Sequence, residues 1–229
     1  MAFSTKISDV TFSKFVAEVP PHLDRAQLFQ LLGGNEALSA RNWAGTKTPS
    51  IVIGAPGYAA GYCTLSEANG FEAALPAGRE PFTHIAVTTL NSGGSGYMGQ
   101  WVSEGGAVNG VNLMLRSSGN LALAVDNNLR ATLAMGDNGF QFIAGSYDRV
   151  STTAALYKGS AGALAKATGP HNSVGSALAK FRVGASLQSV GQMSVAAVMT
   201  FNSALTEAEI LDIYGYLRRL LPRRGVTVA

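Results

Sequence analysis

From about Ser50 onward the chain alternates between short runs rich in β-branched and aromatic residues and clusters of turn formers. The runs are SIVIG, GYAAGYCTL, FTHIAVTTL, VNLMLR, NLALAVD, RATLAM, FQFIAGSY, STTAALYKG, KFRVGAS and MSVAAVMTF. Between them stand Asn69-Gly70, Ser118-Gly119-Asn120, Asp137-Asn138-Gly139 and Lys158-Gly159-Ser160. VNLMLRSSGNLALAV reads as two strands joined by a tight glycine-containing hairpin. Roughly ten short strands with turns every 8–12 residues predict an antiparallel β-sandwich or barrel and argue against a βαβ fold.

The two ends depart from this pattern. In PPHLDRAQLFQLLGG, Leu23, Ala26, Leu28, Phe29 and Leu32 suit one side of a short helix, with Asp24 in its opening turn and Gly33 placed to end it. Residues 1–41 are therefore expected to form an N-terminal arm, and 42–229 a single domain. The stretch 159–179 has no clear period and is expected to be a surface connection.

The closing segment, FNSALTEAEILDIYGYLRRLLPRRG, reads as a helix over 206–221. Thr206 and Glu209 have capping-box spacing, in which the hydroxyl accepts from the N3 amide and the carboxylate from the N-cap amide. Ile210, Ile213, Tyr214, Leu217 and Leu221 then follow helical spacing on one face, and Pro222 stops the run. MSVAAVMTF just before it is apolar throughout, as a strand buried on both sides should be. An amphipathic helix after such a strand is expected to lie on the sandwich and cover apolar surface.

Composition excludes several functions. Hydrophobic residues make up 47% and charged residues only 14%, against a usual charged share of about 25%. So uncharged an exterior suits contacts with other subunits, glycans or proteins, or simply a sandwich rich in glycine and alanine. The net charge is +3. Arg218, Arg219, Arg223 and Arg224 cluster at the helix end, where they complement its carboxyl terminus, so no nucleic-acid stripe is indicated. A lone cysteine, Cys63, permits no intrachain disulfide and is expected as a small buried residue. MAFSTKISDV lacks the apolar run of a signal peptide, and no stretch has the length of a membrane-spanning helix, so no membrane insertion is expected.

The segment AAVMTFNSALTEAEILDIYGYLRRLL resembles the end of laminin-G-like domains of the concanavalin A-type jelly-roll superfamily. FQFIAGSYDRVSTTAALYKGSAGALA and KFRVGAS are similar to internal strands of that family. NWAGTKTPSIVIGAPGYAAGYCTLSEANGFEAAL resembles the opening of such domains in phage and prophage virion proteins. The resemblance covers roughly residues 42–221. It implies a jelly-roll sandwich, and with the readings above the chain is expected to be an all-β antiparallel jelly-roll with a short N-terminal helical arm and one C-terminal amphipathic helix. It further implies a virion component, made in a host cytoplasm, that contacts a host-surface glycan or lipopolysaccharide and other virion proteins. Repetition in a homo-oligomer such as a trimer would suit that role, and a decoration or baseplate protein making only protein contacts is the alternative.

Glycoside hydrolysis needs two carboxyl groups across one cleft. Glu67 and Glu72 are five apart, which puts them on opposite faces of a continuous strand, and Pro76 and Gly78 break the interval from Glu72 to Glu80. These read as solvated strand-end carboxylates, so no enzyme is expected. Gly94, Gly96 and Gly99 match a dinucleotide-binding pattern, but Gly105-Gly106 leaves no room for the helix that pattern requires. His22, His84 and His171 lack metal-ligand spacing, and no nucleophile elbow is present. Aromatic faces beside amides suit sugars, whose C–H faces are edged with hydroxyls. Tyr97 and Trp101 share a face if their strand is continuous, and with Gln100 and Asn91 they form the candidate glycan site. Similar domains hold Ca²⁺ at one rim. Asp126, Asn127, Asn128, Asp137 and Asn138 are the oxygen-bearing candidates here, although turn formation accounts for the same residues.

Overall fold

The computed structural model describes residues 19–45, 48–75, 81–92, 95–104, 107–116, 118–125, 128–135, 139–148, 150–170, 180–185 and 191–229. In chain order its strands begin with β1 (Ala26–Leu31), β2 (Ile51–Ile53), β3 (Gly57–Tyr58), β4 (Cys63–Leu65) and β5 (Gly70–Ala74). The longer strands follow: β6 (Phe82–Ser92), β7 (Gly96–Glu104), β8 (Ala107–Arg116), β9 (Asn120–Val125) and β10 (Asn128–Ala134). The last five are β11 (Gln141–Asp148), β12 (Thr153–Ser160), β13 (Ala163–Pro170), β14 (Lys180–Gly184) and β15 (Gln192–Phe201). Helix α1 (Glu36–Ala40) lies between β1 and β2, and helix α2 (Glu207–Leu220) follows β15.

These strands form two antiparallel sheets stacked as a jelly-roll sandwich. Sheet I runs β13-β12-β11-β6-β15-β4-β3, with β1 also pairing to β15; sheet II runs β10-β9-β8-β7-β14-β5-β2. Alternation along each strand fills the space between them. Leu113, Leu115, Leu121, Leu123, Phe181, Val183 and Phe71 from sheet II meet Ala86, Ile143, Leu156, Val195 and Val198 from sheet I. His84 belongs to this interior: its ring stacks on Phe82 at 4.6 Å and tilts against Phe181 at 4.9 Å. Cys63 is fully buried as expected, its Sγ 3.3 Å from Ser39 Oγ, and burial pushes the thiol pKa up.

A second core lies on the other side of sheet I. Ile210, Ile213, Tyr214, Leu217 and Leu221 come down onto Ile85, Val87, Phe142, Ala144, Met199 and Phe201. The expected lid is therefore present, and β15 is buried on both faces because it separates the two cores. A bulge between Val195 and Ala197 shifts its side-chain phase on the way. Pro222 lies in a 3-10 turn (Leu221–Arg224) that succeeds the α-helix and is closed by Gly225 at φ 78°.

Both halves of the capping box are made: the Glu209 amide donates to Thr206 Oγ1 at 3.3 Å, and the Thr206 amide donates to Glu209 Oε2 at 2.7 Å. Arg25 also donates to the Glu209 carboxylate. Burial alone would raise the Glu209 pKa, but the Thr206 amide and hydroxyl together with Arg25 bring it below the usual value. Thr206→Ala is expected to cost about 1 kcal/mol in urea denaturation, with the slope of the transition unchanged.

Two sequence expectations are corrected. The helix expected over 23–33 is a 3-10 turn (Leu23–Arg25) followed by strand β1. Strand β1 is buried on both faces: Leu28 enters the inter-sheet core, while Ala26 and Phe29 enter the core beneath α2. A doubly buried strand carries an apolar run that imitates a helical stripe. The connection expected over 159–179 is in part strand β13, paired with β12 through Ser160↔Ala163. As the edge of sheet I it is mostly exposed, so its small residues show no apolar period. Residues 171–179, with His171, lie outside the described residues.

Candidate functional site

Sheet I is covered on both faces; on the outer face of sheet II Glu72, Gly99, Asn112, Met114, Ala122 and Ala124 are buried, while Ile51, Lys180 and Arg182 reach solvent. Strand register shows which residues share that face. Glu72 pairs with Ile51 and Arg182, Arg182 pairs with Gly99, Gly99 with Asn112, and Asn112 with Ala124. Their neighbours along each strand face inward, as Phe71, Val183, Met98 and Leu113 do. One transverse row thus reads Ile51–Glu72–Arg182–Gly99–Asn112–Ala124.

Glu72 is the charged residue this row buries, at 8% relative exposure. Its Oε2 accepts from Arg182 Nε at 2.7 Å and lies 2.7 Å from Arg182 Nη2; its Oε1 lies 2.9 Å from Lys180 Nζ. Burial pushes the Glu72 pKa up, but Lys180 and Arg182 outweigh it and hold the carboxyl below the usual range. Glu72 is therefore a fixed anion in mid-strand, not the solvated strand-end group expected from sequence. Glu67, by contrast, is exposed in the bend after β4 and shares no strand with it. Glu80 lies outside the described residues.

Next to this ion cluster the row has no side chain, because position 99 is glycine. Beyond Gly99 stands Asn112, 4% exposed, whose Oδ1 has no hydrogen-bond donor among the described residues. A buried amide oxygen left unpaired costs about 1–3 kcal/mol. Met114, Ala122 and Ala124 make a small buried apolar patch on the same face.

The candidate glycan residues divide. Strand β7 is continuous, and Tyr97 pairs with Met114 while Trp101 pairs with Gly110, so both hold outer-face register on either side of Gly99. Gln100 pairs with Val111, a core residue, and so holds the opposite register. Asn91 is at the end of β6 in sheet I, where its Nδ2 donates to Ser194 Oγ at 2.8 Å. Strand pairing thus brings together Tyr97, Trp101 and the Glu72–Arg182–Asn112 row, and leaves Asn91 elsewhere. Trp43 is half-buried against the core under α2, with the Arg41 guanidinium 4.0 Å from its ring centroid.

Of the calcium candidates, Asn128 opens β10 opposite Val125. Asp126, Asn127, Asp137 and Asn138 lie outside the described residues. No group of three or more His, Cys, Asp or Glu gathers among the described residues. None of the described helices is long and apolar enough to cross a membrane. The glycine pattern at 94–99 opens no helix: Gly96 and Gly99 are both within β7.

Sequence reasoning missed Lys180, Arg182 and Asn112. KFRVGAS was legible as a strand, but its alternating Lys180 and Arg182 gain meaning only once β14 is placed beside β5, a pairing across 110 residues of chain.

No protein-family model and no curated protein matches the chain. Solved structures do match it. One is the botulinum neurotoxin serotype D ligand-binding domain in complex with N-acetylneuraminic acid. It has 15% identity and a TM-score of 0.62, over 85% of this chain and 51% of that one. Another is the binding domain of botulinum neurotoxin DC in complex with rat synaptotagmin II, with 12% identity, a TM-score of 0.65, and coverage of 85% and 52%. A Trypanosoma rangeli sialidase mutant displaying trans-sialidase activity has 13% identity and a TM-score of 0.64, over 84% of this chain and 33% of that one. The chain thus spans about half the length of the toxin chains and a third of the sialidase chain. At such identities the likeness establishes a shared β-sandwich fold.

Proposed function

We propose that this chain is a non-catalytic, lectin-like jelly-roll module that binds glycans on the outer face of sheet II. The observation that carries the reading is the row Glu72–Arg182–Gly99–Asn112. It lies between the register positions of Tyr97 and Trp101, and in it Glu72 holds Arg182, with Lys180 beside it, in place. Sugars need such a combination: an aromatic face for C–H groups, and polar groups held in advance for hydroxyls. The neurotoxin domain solved with N-acetylneuraminic acid has the same fold, which lends this reading support.

Glu72 argues against hydrolysis. Most glycosidases use a protonated acid and a second carboxylate, whereas two cations hold the Glu72 carboxyl below the usual range. Among the described residues placed on this face by register, it is the one carboxylate. The finer assignment is a tail-fibre or other surface-exposed phage component, repeated as a homo-oligomer on the particle. It rests on the resemblance of NWAGTKTPSIVIGAPGYAAGYCTLSEANGFEAAL to the opening of laminin-G-like domains in phage and prophage virion proteins.

The test is binding of the purified protein to a glycan array and to lipopolysaccharide-coated beads, with two variants. Trp101→Ala is expected to weaken binding about tenfold or more while circular dichroism stays native. Lys180→Met changes an exposed side chain, so it should leave stability within about 1 kcal/mol of wild type while reducing affinity. Folded variants that bind like wild type would remove this face from consideration. Release of reducing sugar by the wild-type protein would make it a hydrolase instead.

A further inference from the structure

We infer that the ligand of this face is an anionic glycan bearing a carboxylate, recognised by Lys180 and Arg182. The inference rests on the glycan-binding reading above and specifies its ligand. Register places Arg116, Lys180 and Arg182 on the outer face of sheet II, against the single carboxylate of Glu72 among the described residues. The face therefore carries surplus positive charge where Lys180 and Arg182 reach solvent.

The hydrogen-bonding inventory points the same way. A neutral sugar is usually fixed by side-chain oxygens that accept from its hydroxyls. Here the one carboxylate already has both oxygens committed, Oε1 to Lys180 and Oε2 to Arg182. Arginine carries five N–H donors and lysine three. Glu72 is contacted by Nε and Nη2 of Arg182 and by Nζ of Lys180, which leaves Nη1 and further ammonium protons for another acceptor. These groups can be reached: the Lys180 side chain is 62% exposed and that of Arg182 is 38% exposed, while Glu72 beneath them is not. Glu72 thus acts as a buried positioning group that holds two cations side by side at the surface. A planar carboxylate meets the free edge of a guanidinium in good hydrogen-bond geometry, with the ammonium beside it.

The experiment measures affinity for sialyllactose and trigalacturonate, two carboxylate sugars of different origin, against lactose as the neutral control. At low salt one or both acidic sugars should bind about tenfold tighter than lactose, and the gap should narrow sharply in 0.5 M NaCl as screening takes hold. Lys180→Met, at an exposed side chain, and Arg182→Gln should each collapse the acidic-over-neutral preference. Glu72→Gln frees Lys180 and Arg182 from the group that positions them and should narrow that preference several-fold. Lactose binding as tightly as both acidic sugars, or a preference untouched by Lys180→Met in folded protein, would overturn the inference while leaving the glycan-binding face standing. If no saccharide binds, lipopolysaccharide included, both readings fall.

Discussion

Replacing Tyr214 with alanine is expected to destabilise the domain by about 3–5 kcal/mol, the range for losing a large buried aromatic ring. For a chain of this size that lowers the melting temperature by roughly 10 °C or more. Tyr214 is completely buried between helix α2 and sheet I. Its ring lies 4.9 Å from that of Phe142, and its hydroxyl donates to the main-chain oxygen of Ala229 at 2.8 Å. The sheet beneath is shaped to receive it. A Cβ built on Gly159 of β12 would lie 2.5 Å from the Tyr214 ring, so the tyrosine occupies space that glycine leaves open. Two further variants separate the contributions. Tyr214→Phe keeps the ring and loses one hydrogen bond, at a cost of about 1 kcal/mol. Gly159→Ala should be costly in the wild type and nearly harmless beside Tyr214→Ala, because the two changes share one cavity. Urea denaturation of the four proteins gives the coupling, and additive losses would show that ring and glycine are not in contact.

The prominence of α2 in the sequence has the same origin. Sheet I is apolar on both faces, so its outer side must be covered, and an amphipathic helix supplies the cover within one contiguous segment. Everything needed to recognise it is local: a cap at Thr206 and Glu209, a 3.6-residue apolar period, and a proline. The strands were legible for the same reason, since period and turn chemistry are short-range signals. Strand β1 failed because a strand buried on both sides loses its alternation, and β13 failed because an exposed edge of small residues never had one. In both cases the neighbours, which the local sequence does not specify, decide the conformation.

The candidate site was legible only in fragments. Tyr97 and Trp101 could be paired from their even spacing, and the continuity of β7 keeps them in one register. Gln100, three residues from Tyr97 and one from Trp101, falls in the opposite register. Glu72 looked like an ordinary surface carboxylate because its two cations arrive from β14, far along the chain. The unpaired oxygen of Asn112 cannot be inferred from NLMLR at all. A polar residue in an alternating strand normally reads as solvent-facing, and its burial depends on the sheet assembled around it.

Gly99 carries the second large expectation, because it links the fold to the proposed site. A Cβ built there would overlap the carbonyl oxygen of Val111, lie 2.9 Å from that carbonyl carbon, and lie 3.0 Å from the Cα of Asn112. Its φ of 155° is also one that L-residues rarely adopt. Strand β7 is central to sheet II, between β8 and β14, so the collision cannot be relieved by bending an edge. Gly99→Ala must separate β7 from β8 or twist one against the other. It should cost about 3 kcal/mol or more, among the large losses seen when overpacking and backbone strain coincide. Gly139 serves as the control: a Cβ there meets nothing within 4 Å, so Gly139→Ala should be close to neutral. Binding should respond in proportion to the local damage. Parting β7 from β8 separates Arg182 and Glu72 from Asn112, so the glycan affinity that survives in Gly99→Ala protein at temperatures where it is still folded should fall well below wild type. Wild-type stability in Gly99→Ala would mean that β7 and β8 do not run in this register, and the row on which the proposed site stands would not exist.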